Sequence, residues 1–126
     1  MSHFEKERKY PHKPLVYICS PYRGDIETNT QRAREFSRFA LDEGNIPLAP
    51  HLLFPQFIDD DDPEERELAL LMNMVLLEKC REVWVLGSDI TKGMACEIQQ
   101  AKIKKRPVRY FDQDFKEDVE NDAENR

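Results

Sequence analysis

Glycine is scarce in this chain, with four in 126 residues. No G-x-G-x-x-G and no G-K-[ST] occurs, which argues against a dinucleotide-binding turn and a Walker phosphate loop. The three cysteines, Cys19, Cys80 and Cys96, are odd in number and widely spaced. They form no C-x-x-C, and no histidine follows at zinc-finger spacing, so neither a disulfide framework nor a structural zinc is expected. Free thiols in a reducing compartment are the simpler reading. A G-x-S-x-G nucleophile elbow is missing too, which disfavours serine hydrolase chemistry. The longest apolar stretch, Leu68 to Leu77, is interrupted by Asn73 and is too short to span a bilayer. Met1 to Pro14 is charged and lacks the apolar core of a secretion signal, so a cytoplasmic protein with no membrane partner is expected. There is no basic surplus either. The net charge is −6, and seven acids against two bases from Asp112 to Arg126 supply most of it. The remainder is nearly neutral and offers no cationic stripe for a nucleic-acid backbone.

What the chain does have is a regular alternation of short apolar runs and amphipathic stretches. Residues 1–13 read as a flexible arm, 14–111 as one α/β domain, and 112–126 as an acidic tail with too few apolar residues to pack. Leu15-Val16-Tyr17-Ile18-Cys19, between Pro14 and Pro21, reads as a buried strand. Asp25 to Glu43 carries Ala33, Phe36, Phe39 and Ala40 on one helical face, and Gly44 supplies a left-handed C-terminal cap. Ile46 to Pro50 is a second strand, placed at a sheet edge by its prolines. Asp62 followed by Pro63, Glu64 and Glu65 marks the start of a helix that reaches Lys79; it is apolar nearly all round from Leu68 to Leu77, which predicts burial between the sheet and something else, another subunit being one candidate. Glu82 to Leu86 is a third strand. Lys92 or Gly93 to Lys105 is a third helix, with Met94, Ile98 and Ala101 toward the core, and Val108 to Phe111 is a fourth strand. The order predicts a small doubly wound, flavodoxin- or Rossmann-like α/β fold: a parallel sheet of four to five strands between helical layers.

Candidate chemistry collects where strands end. Glu97 lies one turn inside the helix that follows the third strand, at the carboxyl edge where such sheets bind ligands. It is either a surface helix glutamate or a positioned carboxylate, kept ionised by the helix dipole and able to act as nucleophile or base. Tyr22-Arg23-Gly24-Asp25 follows the first strand. Gly24 permits a tight turn, Arg23 suits a phosphate or carboxylate, and Asp25 either caps the helix or meets a ligand. His51, after the second strand, is a ligand contact, a proton donor or a structural histidine. Ser88 and Asp89 either reach sugar hydroxyls or simply form a turn. Asp59 to Asp62 lack the alternate spacing and glycine of a calcium loop, so no metal site is expected there.

The segments S-P-Y-R-G-D, N-I-P-L-A-P-H, C-R-E-V-W-V-L-G and G-M-A-C-E-I-Q-Q-A together resemble the nucleoside 2-deoxyribosyltransferase-like superfamily, in particular a branch of short bacterial and phage proteins. The likeness covers Leu15 to Phe111. It implies that Glu97 attacks the anomeric carbon of a nucleoside and that Ser20, Tyr22, Arg23 and Asp25 contact base and sugar. In nucleotide-acting relatives it implies a phosphate near that first-strand loop and near Ser88 to Gly93. Members carry an aspartate on the helix before the third strand, where this chain reads Leu71-Met72-Asn73-Met74. The expected catalytic set is Glu97, Tyr22 and Asp25. The expected substrate-binding set is Ser20, Arg23, Gly24, His51, Gly87, Ser88, Asp89, Gly93 and Met94. The implied function is cleavage or exchange of an N-glycosidic bond in a nucleoside or nucleoside 5′-monophosphate, with no metal or organic cofactor. The alternative is a non-catalytic nucleotide-binding module. Relatives are dimers or larger, and a homo-oligomer is expected.

Overall fold

The computed structural model describes residues 12–119. Four strands, β1 (Leu15–Cys19), β2 (Ile46–Leu48), β3 (Glu82–Leu86) and β4 (Val108–Phe111), form one sheet in the order β2-β1-β3-β4. Every pair is parallel. Three helices connect them: α1 (Ile26–Asp42), α2 (Pro63–Lys79) and α3 (Lys92–Ile103). The chain is an α/β fold of the expected kind, with β2 at an edge.

The period-two alternation of β1 and β3 sorts their side chains onto two faces. Val16, Ile18, Trp84 and Leu86 face α1 and pack with Phe36, Ala40 and Phe111. Tyr17, Cys19, Val83 and Val85 face α2 and α3 and pack with Leu77, Met94, Ile98 and Ala101. The helices start where their caps dictate. Asp25 accepts from the Thr28 amide at 3.2 Å, Asp62 from the Glu64 amide at 3.0 Å, and Thr91 from the Met94 amide at 3.2 Å. Gly44, at φ +93°, closes α1 in a conformation costly for other residues.

Two expectations need adjusting. Within one copy of the chain, α2 is not covered on every side. Only Asn73 and Leu77 are buried, while Leu68, Leu71 and Val75 are 51%, 60% and 57% exposed along one stripe. The chain after Phe111 also packs, at least through Asp118. Phe115 joins the Phe36–Phe39 cluster, and Glu117 bridges antiparallel to Phe111 and pairs with Arg109 at 2.6 Å. An aromatic ring, the pair with Arg109 and the Asp118 amide donating to the Tyr110 carbonyl at 2.8 Å together dock a segment that apolar counting leaves free. The rest of the tail, and the arm up to residue 11, lie outside the described residues.

Candidate active site

The strand order reverses around β1. From it, α1 leads outward to β2, and α2 then crosses back to β3. The crevice beyond the carboxyl ends of β1 and β3 is therefore a topological switch point. A cavity of about 630 Å³ occupies it, within the range of small-molecule sites. Its walls come from the turn after β1, the loop after β2, one face of α2 and the first turns of α3.

Glu97 is part of that wall and only 3% exposed. Its surroundings are set by β1. Cys19 Sγ lies 4.0 Å from Oε1, and the Tyr17 hydroxyl approaches the carboxyl without reaching hydrogen-bond alignment. Burial pushes the Glu97 pKa up to about 7, and Tyr17 only partly pulls it back. The expectation of a carboxylate held ionised by the helix dipole is thus corrected: desolvation wins. The dipole is worth at most about 1 kcal/mol at ordinary sites, less than the loss of water around a buried charge. Tyr17 and Cys19 are in turn pushed upward, first by burial and then by the Glu97 charge.

Tyr22 and His51 line the same cavity as stacked rings, 5.1 Å apart and 25° from parallel. Burial lowers the His51 pKa, against the Asp60 charge and a hydrogen bond to the Ser20 carbonyl. The imidazole is therefore neutral at pH 7. Arg23 also borders the cavity, but its guanidinium is engaged. Nε donates to the Asp60 carboxylate at 2.7 Å and Nη2 to the Asp60 carbonyl at 2.9 Å. Arg66, from α2, donates to the same carbonyl at 3.2 Å. A second hollow of about 360 Å³ lies across this pair and shares Tyr22, Arg23 and Asp60. The wall between the polar groups is apolar, made by Phe54, Pro55 and Ile58 of the loop and Ala69 and Leu70 of α2.

Of the residues expected from sequence, Glu97, Tyr22, Arg23, His51, Gly93 and Met94 meet in the cavity, and Gly24 borders the smaller hollow. Gly24, at φ +100°, turns the chain where a side chain would be strained. Asp25 does not join them. Its two oxygens accept from the amide and hydroxyl of Thr28, which lowers its pKa, and it lines neither hollow. Ser20 is buried with an unpartnered hydroxyl but is not part of either wall. Gly87, Ser88 and Asp89 are outside both as well, and Gln113 sits directly over Gly87. Tyr17 and Cys19 went unrecognised in the sequence, although their two-residue spacing on β1 places them on the face toward α3. Among the described residues, no three His, Cys, Asp or Glu side chains gather as metal ligands, and no helix is long and apolar enough to cross a membrane.

Residues 14–111 match the family described as Domain of unknown function (DUF7768). The chain belongs to that family. No curated protein matches this DUF7768 chain in sequence. Among solved structures it is similar to a 2-deoxyribosyltransferase from the psychrotolerant bacterium Bacillus psychrosaccharolyticus. The TM-score is 0.60 and the identity 18%, over 78% of this chain and 72% of that one. At that identity the likeness speaks for a shared fold, and the DUF7768 domain is a distant structural relative of that enzyme.

Proposed function

We propose that this DUF7768 protein binds a nucleoside or nucleoside 5′-monophosphate in the 630 Å³ cavity and breaks or exchanges its N-glycosidic bond, with Glu97 as nucleophile. The observation that carries the reading is a buried carboxyl in the wall of a largely apolar cavity that a stacked aromatic pair also lines. The fold shared with a 2-deoxyribosyltransferase supports it. In this mechanism the ionised Glu97 forms a bond to the anomeric carbon as the C–N bond breaks, and the bonding pair leaves with the base. The transition state resembles an oxocarbenium ion, as in retaining glycoside hydrolysis. Water attacking the glycosyl ester frees the sugar; a second base attacking it completes an exchange. Tyr17 and Tyr22 orient the carboxylate and the ring, and Asp25 acts only as the cap that fixes their loop. His51, held below its ordinary pKa, is a poor acid at neutral pH, so solvent protonates the leaving base. A 5′-phosphate would take the place of Asp60 on Arg23, with Arg66 and Lys92 also at the cavity wall.

The test is incubation with deoxynucleosides, ribonucleosides and their monophosphates, with released base followed by chromatography. Release by wild type and none by Glu97→Ala is the expected result; no release from any member defeats the enzyme reading. A second reading, a binder without turnover, is favoured by the stretch Leu71-Met72-Asn73-Met74, where Asn73 or a neighbour stands in place of the acid of the resembling enzymes. It predicts ligands that raise the melting temperature and are recovered intact. In either reading a second copy of the chain covers the Leu68, Leu71 and Val75 stripe. Light scattering that finds only monomer at micromolar concentration refutes that part.

A further inference from the structure

The two hollows adjoin along a common border, since Tyr22, Arg23, Pro55, Ile58 and Asp60 line both. The charged part of that border is the Arg23 guanidinium with the Asp60 carboxylate, 2.7 Å apart, their side chains 50% and 30% exposed. An exposed pair of this kind adds little to stability, so it is the part of the wall most easily displaced. Only the carboxylate has to swing away. Arg23 Nη2 and Arg66 Nε both donate to the Asp60 carbonyl, at 2.9 and 3.2 Å, and hold the loop backbone in place meanwhile. An anion that takes over Arg23 Nε therefore stands in a doorway between the larger cavity and the smaller hollow.

The two sides of the doorway differ in charge. Arg66 and Lys92 line the larger cavity and not the smaller. The smaller hollow is lined by Asp59 and Asp61 as well as Asp60, with Arg23 as its only cation, and it offers apolar surface from Ile26, Pro55 and Ile58. Ile26, at the start of α1, is 47% exposed there. Resting on the nucleotide arm of the reading above, the geometry points to a phosphodiester as ligand: a nucleoside 5′-phosphate that carries one further, uncharged group, seated in the smaller hollow on Ile26, Pro55 and Ile58. A phosphate monoester carries about −1.5 to −2 charge at pH 7 and would turn free oxygens toward Asp59 and Asp61. A diester carries a single charge, matched by Arg23, and the oxygen facing the acids is the esterified one. A second phosphate in the smaller hollow meets three carboxylates against one guanidinium, so a nucleoside diphosphate fits worse. A polynucleotide fails likewise, because its next phosphate falls on this acidic rim with no cationic track to follow. At about 360 Å³ the hollow has room for one group of ring or sugar size.

Binding is measured by calorimetry in the Glu97→Gln background, where nothing is turned over. The probes are 2′-deoxyadenosine 5′-monophosphate, its phenyl phosphodiester and 2′-deoxyadenosine 5′-diphosphate, with the thymidine series beside them and the two nucleosides as reference. In at least one series the phenyl ester should bind about tenfold tighter than the monophosphate, the worth of half-burying an aromatic ring. The diphosphate should bind no tighter than the monophosphate. Ile26→Ser should remove most of the ester's advantage and leave the monophosphate affinity as it was, which also shows that the variant is folded. Asp59→Asn with Asp61→Asn should narrow the gap from the other side, by tightening the monophosphate. An ester that binds no better than the monophosphate overturns the inference and leaves the nucleoside reading standing. So does an advantage that Ile26→Ser leaves intact, or a diphosphate that binds tightest. Nucleosides that bind where no phosphorylated probe does have the same meaning. If nothing binds, the nucleoside reading falls, and this inference with it.

Discussion

Replacing Glu97 by glutamine separates what the carboxyl does for chemistry from what it costs the fold. The native carboxyl titrates at about 7, against an ordinary 4.5, because burial penalises its charge. Between those values the native state keeps a proton that the unfolded chain has released, so stability falls as pH rises. Below pH 4.5 both states are neutral and the cost is absent; above pH 7 it is fully present. The gap corresponds to about 3 kcal/mol. Glutamine has the same shape and cannot ionise. Glu97→Gln should therefore match wild type near pH 4 and exceed it by up to about 3 kcal/mol at pH 8. For a domain of this size that is a rise in melting temperature on the order of 10 °C or more. Urea denaturation of both proteins across pH 4–8 reads the difference directly, since every other titration cancels. A difference that does not grow between pH 5 and 7 would refute the assignment of a desolvated carboxyl. If the variant also releases no base, the same group is shown to trade stability for activity.

Tyr17→Phe removes the hydroxyl that holds the Glu97 pKa down. The alkaline rise of base release should then move to higher pH, and an unmoved pH profile would count against the Tyr17–Glu97 contact. Asp60→Asn removes the charge from the exposed pair that holds the Arg23 guanidinium, leaving only neutral acceptors at residue 60. Nucleoside monophosphates should bind tighter to it while nucleosides bind as before; calorimetry showing equal changes for both would deny Arg23 a phosphate role. Phe115→Ala removes a half-buried ring from the Phe36–Phe39 cluster and should cost about 2 kcal/mol in denaturation experiments. Unchanged stability would mean that the segment after β4 adds nothing to the folded unit.

Much of the architecture is legible in local pattern. The β-branched runs give the strands, Asp62-Pro63-Glu64 announces α2, and the strand-to-helix step puts Glu97 at the right edge of the sheet. What escapes is set by distant contacts. Arg23 reads as a free cation because its partner, Asp60, is 37 residues away on a loop with no periodicity. The charge state of Glu97 depends on how deeply β1 and α3 close around it, and helix position alone suggests the opposite sign. Asp25 could equally cap or bind until Thr28 is seen to take both of its oxygens. All-round apolarity in α2 says that it avoids water, not which side of it another element covers.

Both borders of the sheet are poor templates for further strands. On one side β2 is three residues long with Pro47 at its centre, which has no amide hydrogen to offer. On the other, the turn after β4 folds back so that Glu117 already bridges to Phe111. Copies of this chain therefore have little means of growing a continuous sheet from molecule to molecule, the usual route to amyloid-type aggregation. Any assembly is left to helical surfaces, where contacts are finite and can close.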